Sequence, residues 1–108
     1  MADPLYILKI LPDAAKQLER IPRRFQIKIG EKIRALSHDP APPISKQLAL
    51  LKKYGHFRRI RVAEYRVIYC VKHKTLLVLV VEIAHRREAY RNLEPFIKNL
   101  AKKLEKLH

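Results

Sequence analysis

The stretch FRRIRVAEYRVIYCVKHKTLLVLVVEIAHRREAYR, residues 57–91, decides the fold. It contains three strand signals in succession: an alternating segment over 57–63, a segment rich in β-branched and aromatic residues over 65–72, and an aliphatic run over 76–83. Only residues 73–75 separate the second segment from the third, which predicts a β-hairpin. Because the aliphatic run is apolar on both faces, we expect it to lie centrally in an antiparallel sheet.

Upstream of this sheet, the sequence predicts one strand and two helices. Residues 6–11 are short and apolar and fit a first strand. Two segments with helical spacing follow, separated at Pro22, and the second of them runs over 23–37. They predict a helical hairpin. Three prolines within 38–46 predict a loop between the hairpin and the sheet.

Downstream of the sheet, an apolar stripe predicts a C-terminal helix over 93–107. The stripe consists of Leu93, Phe96, Ile97, Leu100, Leu104 and Leu107. Helices grouped before and after an antiparallel meander are typical of an α+β fold. The length fits one domain, which we place at 1–91 with the amphipathic helix 92–108 as part of the same domain.

The composition narrows the class of protein further. The chain has 108 residues with a formal net charge of +14, and residues 46–91 alone hold 12 Lys or Arg and 3 Asp or Glu. Such a charge attracts anionic partners, nucleic acid first among them. Because one cysteine, Cys70, forms no internal disulfide and no metal or phosphate-loop motif is present, we expect no metal and no cofactor. The N-terminus does not have the pattern of a signal peptide, and no apolar run is long enough to cross a bilayer. We therefore expect a cytoplasmic protein without membrane contact.

The arginines of the predicted strands follow the period of the pleat. Alternation places Arg59 and Arg61 on one face of their strand, and since Ile60 on the opposite face belongs in the core, we expect both arginines to face outward. Arg66 follows on the next strand, and the segment HRREAYR, residues 85–91, comes directly after the third. If the strands pair in order, several guanidinium groups converge near one face, which suits a phosphate anion.

The combined pattern of these segments resembles the RelE family of bacterial and archaeal toxins, within the RelE/ParE superfamily. The resemblance covers roughly residues 5–91. It implies a compact α+β toxin with an antiparallel sheet backed by the helical hairpin. It also implies metal-independent cleavage of mRNA in the ribosomal A site, through attack of the ribose 2′-hydroxyl on the adjacent phosphate. The implied partners are the ribosome with its rRNA, the mRNA, and a RelB-like antitoxin.

The resemblance also implies roles for individual residues. Arg59 and Arg61 match a strand pair that is often lysine in the family. Arg66 matches the arginine that contacts the scissile phosphate. Arg86 matches the arginine assigned to charge stabilisation and to protonation of the leaving group. Tyr90 matches the tyrosine that stacks on the mRNA base.

The resemblance does not identify the general base, because the strand pair here consists of arginines, and arginine stays protonated at any working pH and is a poor base. Arg61 and His85 are both candidates, because imidazole titrates near pH 6.5 in general. Glu64 and Glu88 are further alternatives, and the ribosome itself can supply part of the organisation. Arg87 can exchange roles with Arg86, because sequence alone does not separate neighbouring positions.

Two further expectations concern the wider surface and the competing function. We assign RNA and ribosome binding to the basic residues Lys52, Lys53, Arg58, Arg87 and Arg91. The alternative function is that of a ParE-like toxin, which poisons DNA gyrase and has no nuclease activity. An inactive binding module that acts with its antitoxin is a third alternative. The full set of arginines and the tyrosine favours the nuclease, since ParE-like chains generally lack that set.

Overall fold

The computed structural model describes residues 5–106, and the side chains up to residue 103. Within these residues, nine elements follow one another. They are β1 (Ile7–Ile10), α1 (Pro12–Glu19), α2 (Arg23–Ala35), β2 (Lys46–Gln47), a 3-10 helix (Ala49–Tyr54), β3 (His56–Val62), β4 (Tyr65–Lys72), β5 (Leu77–His85) and α3 (Leu93–Lys106). The α+β prediction is confirmed. The predicted helix 93–107 is found as α3, and residue 107 lies outside the described part of the chain.

The five strands form one mixed sheet in the order β1-β5-β4-β3-β2. β1 runs parallel to β5, while the three pairs from β2 to β5 are antiparallel. The predicted hairpin of the last two strands is confirmed, as is the interior place of the aliphatic run, since β5 lies between β1 and β4. Interior strands covered on both faces need apolar side chains on both, which explains the unbroken aliphatic run of β5.

Both faces of the sheet are covered, so the protein has two hydrophobic cores. On one face, α1 and α2 pack against residues such as Ile60, Val67 and Val80. On the other face, α3 and the 3-10 helix pack against residues such as Phe57, Ile68 and Leu79. The C-terminal helix is thus the second layer of the domain. Polar side chains of the sheet therefore reach solvent mainly at the ends of the strands and at the two edge strands.

Candidate anion site at one end of the sheet

A tight turn between β3 and β4 brings two arginines face to face. Ala63 and Glu64 form a two-residue connection, with Ala63 in the left-handed region at φ 53°. Arg61 is paired directly with Arg66 across the two strands. Residues in that relation have Cβ atoms about 4.5–5.5 Å apart, and like charges so placed destabilise a sheet. An anion bound between the two guanidinium groups attracts both of them and so offsets their mutual repulsion.

A third arginine lies against the same turn. The backbone N–H of Arg86 donates to the carbonyl of Glu64 at 2.7 Å, and its side chain forms an ion pair with the Glu64 carboxylate at 2.5 Å. Both side chains are about half exposed. A surface ion pair of this kind contributes at most about 1 kcal/mol. A phosphate group can therefore replace Glu64 as the partner of Arg86.

The segment that follows β5 is a compact turn that holds Tyr90 at the surface. The backbone N–H groups of Glu88 and Ala89 both donate to the carbonyl of His85, and the Ala89 side chain is fully buried. Tyr90 is 50% exposed. The turn therefore holds the ring at the surface, where a nucleic-acid base can stack on it.

The expectation that Arg59 faces outward together with Arg61 is wrong. Arg61 is exposed, but Arg59 is only 7% exposed and is the one charged residue in the buried class among the described residues. The two side chains share a face, as the alternation requires, but Arg59 has a strand on each side, pairing with Lys46 of β2 and Ile68 of β4, and the 3-10 helix packs against β3. Arg61 lies beyond the end of β2. The alternation within one strand shows which side chains share a face, but it does not show which other elements cover that face.

His85 lies on the opposite side of the pleat from Arg66. It pairs with Tyr65 across β4 and β5, and the two rings meet edge to face at 5.7 Å. Its Nδ1 accepts a hydrogen bond from the backbone N–H of Arg87 at 3.3 Å. In the neutral ring this places the proton on Nε2, so that nitrogen donates rather than accepts.

The residues assigned to RNA and ribosome binding fall in three separate places. Arg58 lies on the face of the sheet that carries α1 and α2, and its Nε donates to the Ser45 hydroxyl at 2.9 Å. Lys52 and Lys53 are exposed on the 3-10 helix, where Lys53 pairs with Glu94 at 3.3 Å. Only Arg87 and Arg91, both exposed, lie on the same turn as Tyr90.

The sequence reasoning missed one ionisable residue, Glu82. It pairs with Ile68 on the same face as Arg66, and its Oε2 atom is buried without a hydrogen-bond partner among the described residues. Burial raises the pKa of this carboxyl from its ordinary value of 4.5 to about 7. The signal available in the sequence was a single acidic residue inside an otherwise aliphatic strand.

Glu82 gives a pH dependence of stability with a defined sign. Glu82 lines a cavity together with the charged residues Asp13, Lys16, Arg20 and Arg91, and desolvation is what shifts its pKa. Between pH 4.5 and 7 the unfolded chain releases the Glu82 proton while the folded chain retains it, so stability falls as the pH rises. A fully buried carboxyl shifted this far corresponds to about 3 kcal/mol, and partial exposure reduces the expected loss to about 1–2 kcal/mol.

Urea unfolding of wild type and Glu82→Gln at pH 4.5, 6 and 8 measures this effect. We expect the glutamine variant to gain stability over wild type as the pH rises. A difference between the two proteins that does not change with pH contradicts the expected titration.

The structure also bears on metal binding and on membrane insertion. Within residues 5–106, no group of three or more His, Cys, Asp or Glu side chains is arranged to hold a metal ion. None of the helices in that range combines the length and the apolar character needed to cross a membrane.

The structure is that of a small α+β protein with Arg61, Arg66 and Arg86 at one end of its sheet. Residues 8–90 match the family model described as the ParE toxin of the type II toxin–antitoxin system parDE. The chain belongs to this family and is a toxin of RelE/ParE type. Among curated proteins, none matches the sequence significantly.

Solved structures share the fold over most of the chain. The RelE–RelB complex of Pyrococcus horikoshii has a TM-score of 0.67 and 24% identity, covering 79% of this chain and 99% of that one. The RelBE2 complex of Mycobacterium tuberculosis has a TM-score of 0.64 and 22% identity, covering 76% and 92%. The RelB–RelE complex of Methanococcus jannaschii has a TM-score of 0.60 and 21% identity, covering 77% and 95%. The predicted fold relationship is confirmed.

Proposed function

We propose that this toxin is a metal-independent, ribosome-dependent endonuclease that cleaves mRNA in the A site and so inhibits translation. The observation that carries the proposal is the direct pairing of Arg61 with Arg66, with Arg86 bound to the adjacent turn. Two like charges opposite each other reduce the stability of the hairpin, so their placement is explained best by an anion that binds between them. A scissile phosphate is such an anion.

The chemistry follows from the charges that this end of the sheet supplies. The ribose 2′-oxygen attacks the adjacent phosphorus, the bond from phosphorus to the 5′-oxygen breaks, and a 2′,3′-cyclic phosphate and a 5′-hydroxyl result. Arg61 and Arg66 stabilise the charge that accumulates on the phosphate oxygens in the transition state. Arg86 joins them once the phosphate has replaced Glu64. Tyr90 stacks on a base and orients it.

Two proton transfers accompany this step. Exchange of Arg86 from Glu64 to the phosphate releases the Glu64 carboxylate, which then accepts the proton of the 2′-hydroxyl. Arg86 gives a proton to the 5′-oxygen as it leaves and regains one from the protonated Glu64, its original partner, so that both groups return to their ionised forms. Arg59 lies too deep for direct contact with RNA and acts through the charge that it places behind Arg61.

The proposed partners are the ribosome, mRNA and a RelB-like antitoxin. Three solved relatives are RelE proteins in complex with RelB. A net charge of +14 suits both rRNA and an acidic or amphipathic antitoxin that is partly disordered when free. A ribosomal target places the protein in the cytoplasm.

The second candidate function is that of a DNA gyrase poison without nuclease activity. The match to the ParE toxin family supports it. The arginine pair and the exposed Tyr90 support the nuclease instead, because binding to a protein target gives no reason for two opposed arginines at one end of a sheet.

Primer extension on a translated mRNA distinguishes the two candidates. We expect cuts within codons when toxin and ribosomes are both present. We expect none when the toxin meets the mRNA without ribosomes. A gyrase supercoiling assay with the same preparation should show no inhibition. Intact mRNA together with inhibited supercoiling, from a toxin that is folded by circular dichroism, overturns the nuclease proposal in favour of gyrase.

A further inference from the structure

Two neighbouring cavities lie at the end of the sheet that is remote from the arginine pair. The larger, of about 440 Å³, is formed by the end of β4 and the turn that follows it, and the smaller, of about 90 Å³, borders the loop before β2. His56 and His73 line both cavities. Because Arg66 and Lys72 stand at opposite ends of β4, the cavities are about 20 Å from the arginine pair.

The two imidazole rings of this histidine pair, His56 and His73, lie against each other. Their centroids are 5.6 Å apart, with an angle of 66° between the ring planes. The Nδ1 atom of His73 is 2.9 Å from the Tyr6 hydroxyl, and the two rings of that contact also meet edge to face. In protonated His73, Nδ1–H donates to the Tyr6 oxygen, so Nε2–H is left to donate to a ligand.

The charged side chains that line the two cavities are basic. Lys72 and Lys74 line the larger cavity, and Arg58 lines the smaller one. Within the part of the chain that the structure describes, neither lining includes an aspartate or a glutamate. Asp39, on the loop that borders the smaller cavity, accepts the backbone N–H of Ala41 at 3.1 Å. A ligand that enters either cavity therefore meets cations, and no carboxylate in the lining opposes a bound anion.

These surroundings decide between the two kinds of ligand that paired histidines bind. A divalent metal ion is repelled by the two lysines and Arg58. An anion is attracted by them, and it also favours protonation of both imidazoles, which otherwise repel each other once charged. Phosphate oxygens accept several charge-assisted hydrogen bonds at once, from imidazolium and ammonium groups alike.

We propose that this end of the sheet binds a phosphate group, held by His56 and His73 in their protonated forms together with Lys72 and Lys74. The site goes beyond the proposed function, because the nuclease uses only the end of the sheet that carries the arginine pair. The helices cover both faces between the two ends, so an RNA phosphate bound here belongs to a second segment of RNA. A free phosphate ion offers the same chemistry.

NMR signals of the imidazole C–H groups report binding at the histidine pair without the ribosome and without cleavage. Three probes are titrated into the toxin at constant ionic strength: a 2′-O-methyl RNA hexanucleotide, which has no attacking hydroxyl, inorganic phosphate, and hexaglutamate. We expect the RNA to shift the signals of His56 and His73 along one saturable curve. Binding should be about tenfold tighter at pH 6 than at pH 8, because imidazole titrates between them while a phosphodiester keeps its charge.

Two variants test which side chains hold the anion. His56→Gln should weaken binding of the RNA, followed at the His73 signal, by about tenfold at pH 6, since it removes one charged donor. Lys28→Ala is the matched control: it removes an exposed cation from α2 and should leave the affinity at His73 unchanged. Both substitutions are at exposed positions, so the folded state should be retained.

The outcomes separate the sources of phosphate and can overturn the site. RNA that saturates both signals at a lower concentration than inorganic phosphate supports a polynucleotide, and equal affinities support free phosphate. Signals that do not move, a shift of one histidine alone, or full affinity in His56→Gln each overturn the proposal. Tighter binding of hexaglutamate than of both phosphate probes overturns it in favour of an acidic protein. Saturable shifts in a toxin that never cuts mRNA leave this site standing and refute only the nuclease.

Discussion

Replacing Arg66 by alanine is expected to lower ribosome-dependent cleavage by about 10²–10³-fold while the protein remains folded. Removal of one preorganised donor to a developing oxyanion has effects of this size. Arg66 is half of the directly opposed arginine pair, and it is less exposed than Arg61. The rate of codon cleavage by primer extension, measured at saturating toxin, reports the loss.

The same substitution has an unusual expected effect on stability. Because Arg66→Ala removes a like-charge pair across two strands, its free energy of unfolding should be equal to wild type or higher by a few tenths of a kcal/mol. Lys72→Ala is the matched control, since it removes one positive charge from the exposed far end of the same strand. Cleavage by Arg66→Ala at the rate of Lys72→Ala contradicts the assignment of Arg66 to the phosphate.

The sequence predicts most of the sheet because its local signals agree with the final packing. The two-residue turn at Ala63 and Glu64 fixes the register of β3 and β4, so the alternation of charged residues places Arg61 and Arg66 on one face without further information. The aliphatic run could be placed in the interior because a strand apolar on both faces has no stable position at an edge.

The positions that were missed depend on contacts between elements distant in the chain. The alternation correctly groups Arg59 with Arg61, but β2 pairs with β3 at Arg59 and ends before it reaches Arg61, so that one is buried and the other exposed. The cavity at Glu82 exists because β1 stops at Ile10 and α1 turns across the edge of β5. Neither the burial of Arg59 nor the cavity at Glu82 can be predicted from the sequence of the strand that carries the residue. His85 shows the same limit, since the last residue of β5 could not be assigned to a face before the register was known.

Ile97→Ala is expected to reduce the free energy of unfolding by about 2–5 kcal/mol, the range for an aliphatic side chain deleted from a packed core. Ile97 is 1% exposed and belongs to the core that α3 forms with Leu51, Phe57 and Ile68. Domains of this kind have a total stability of about 5–15 kcal/mol, so this one side chain accounts for a large part of it. Urea unfolding followed by circular dichroism measures the change.

Asn99→Ala on the exposed side of the same helix is the control, and it should stay within about 0.5 kcal/mol of wild type. If Ile97→Ala is as mild as Asn99→Ala, α3 does not pack on the sheet in solution and the second core is not needed for folding. If Ile97→Ala is strongly destabilising, α3 is an integral layer of the domain, because the core that it forms with Leu51, Phe57 and Ile68 then contributes a large part of the stability.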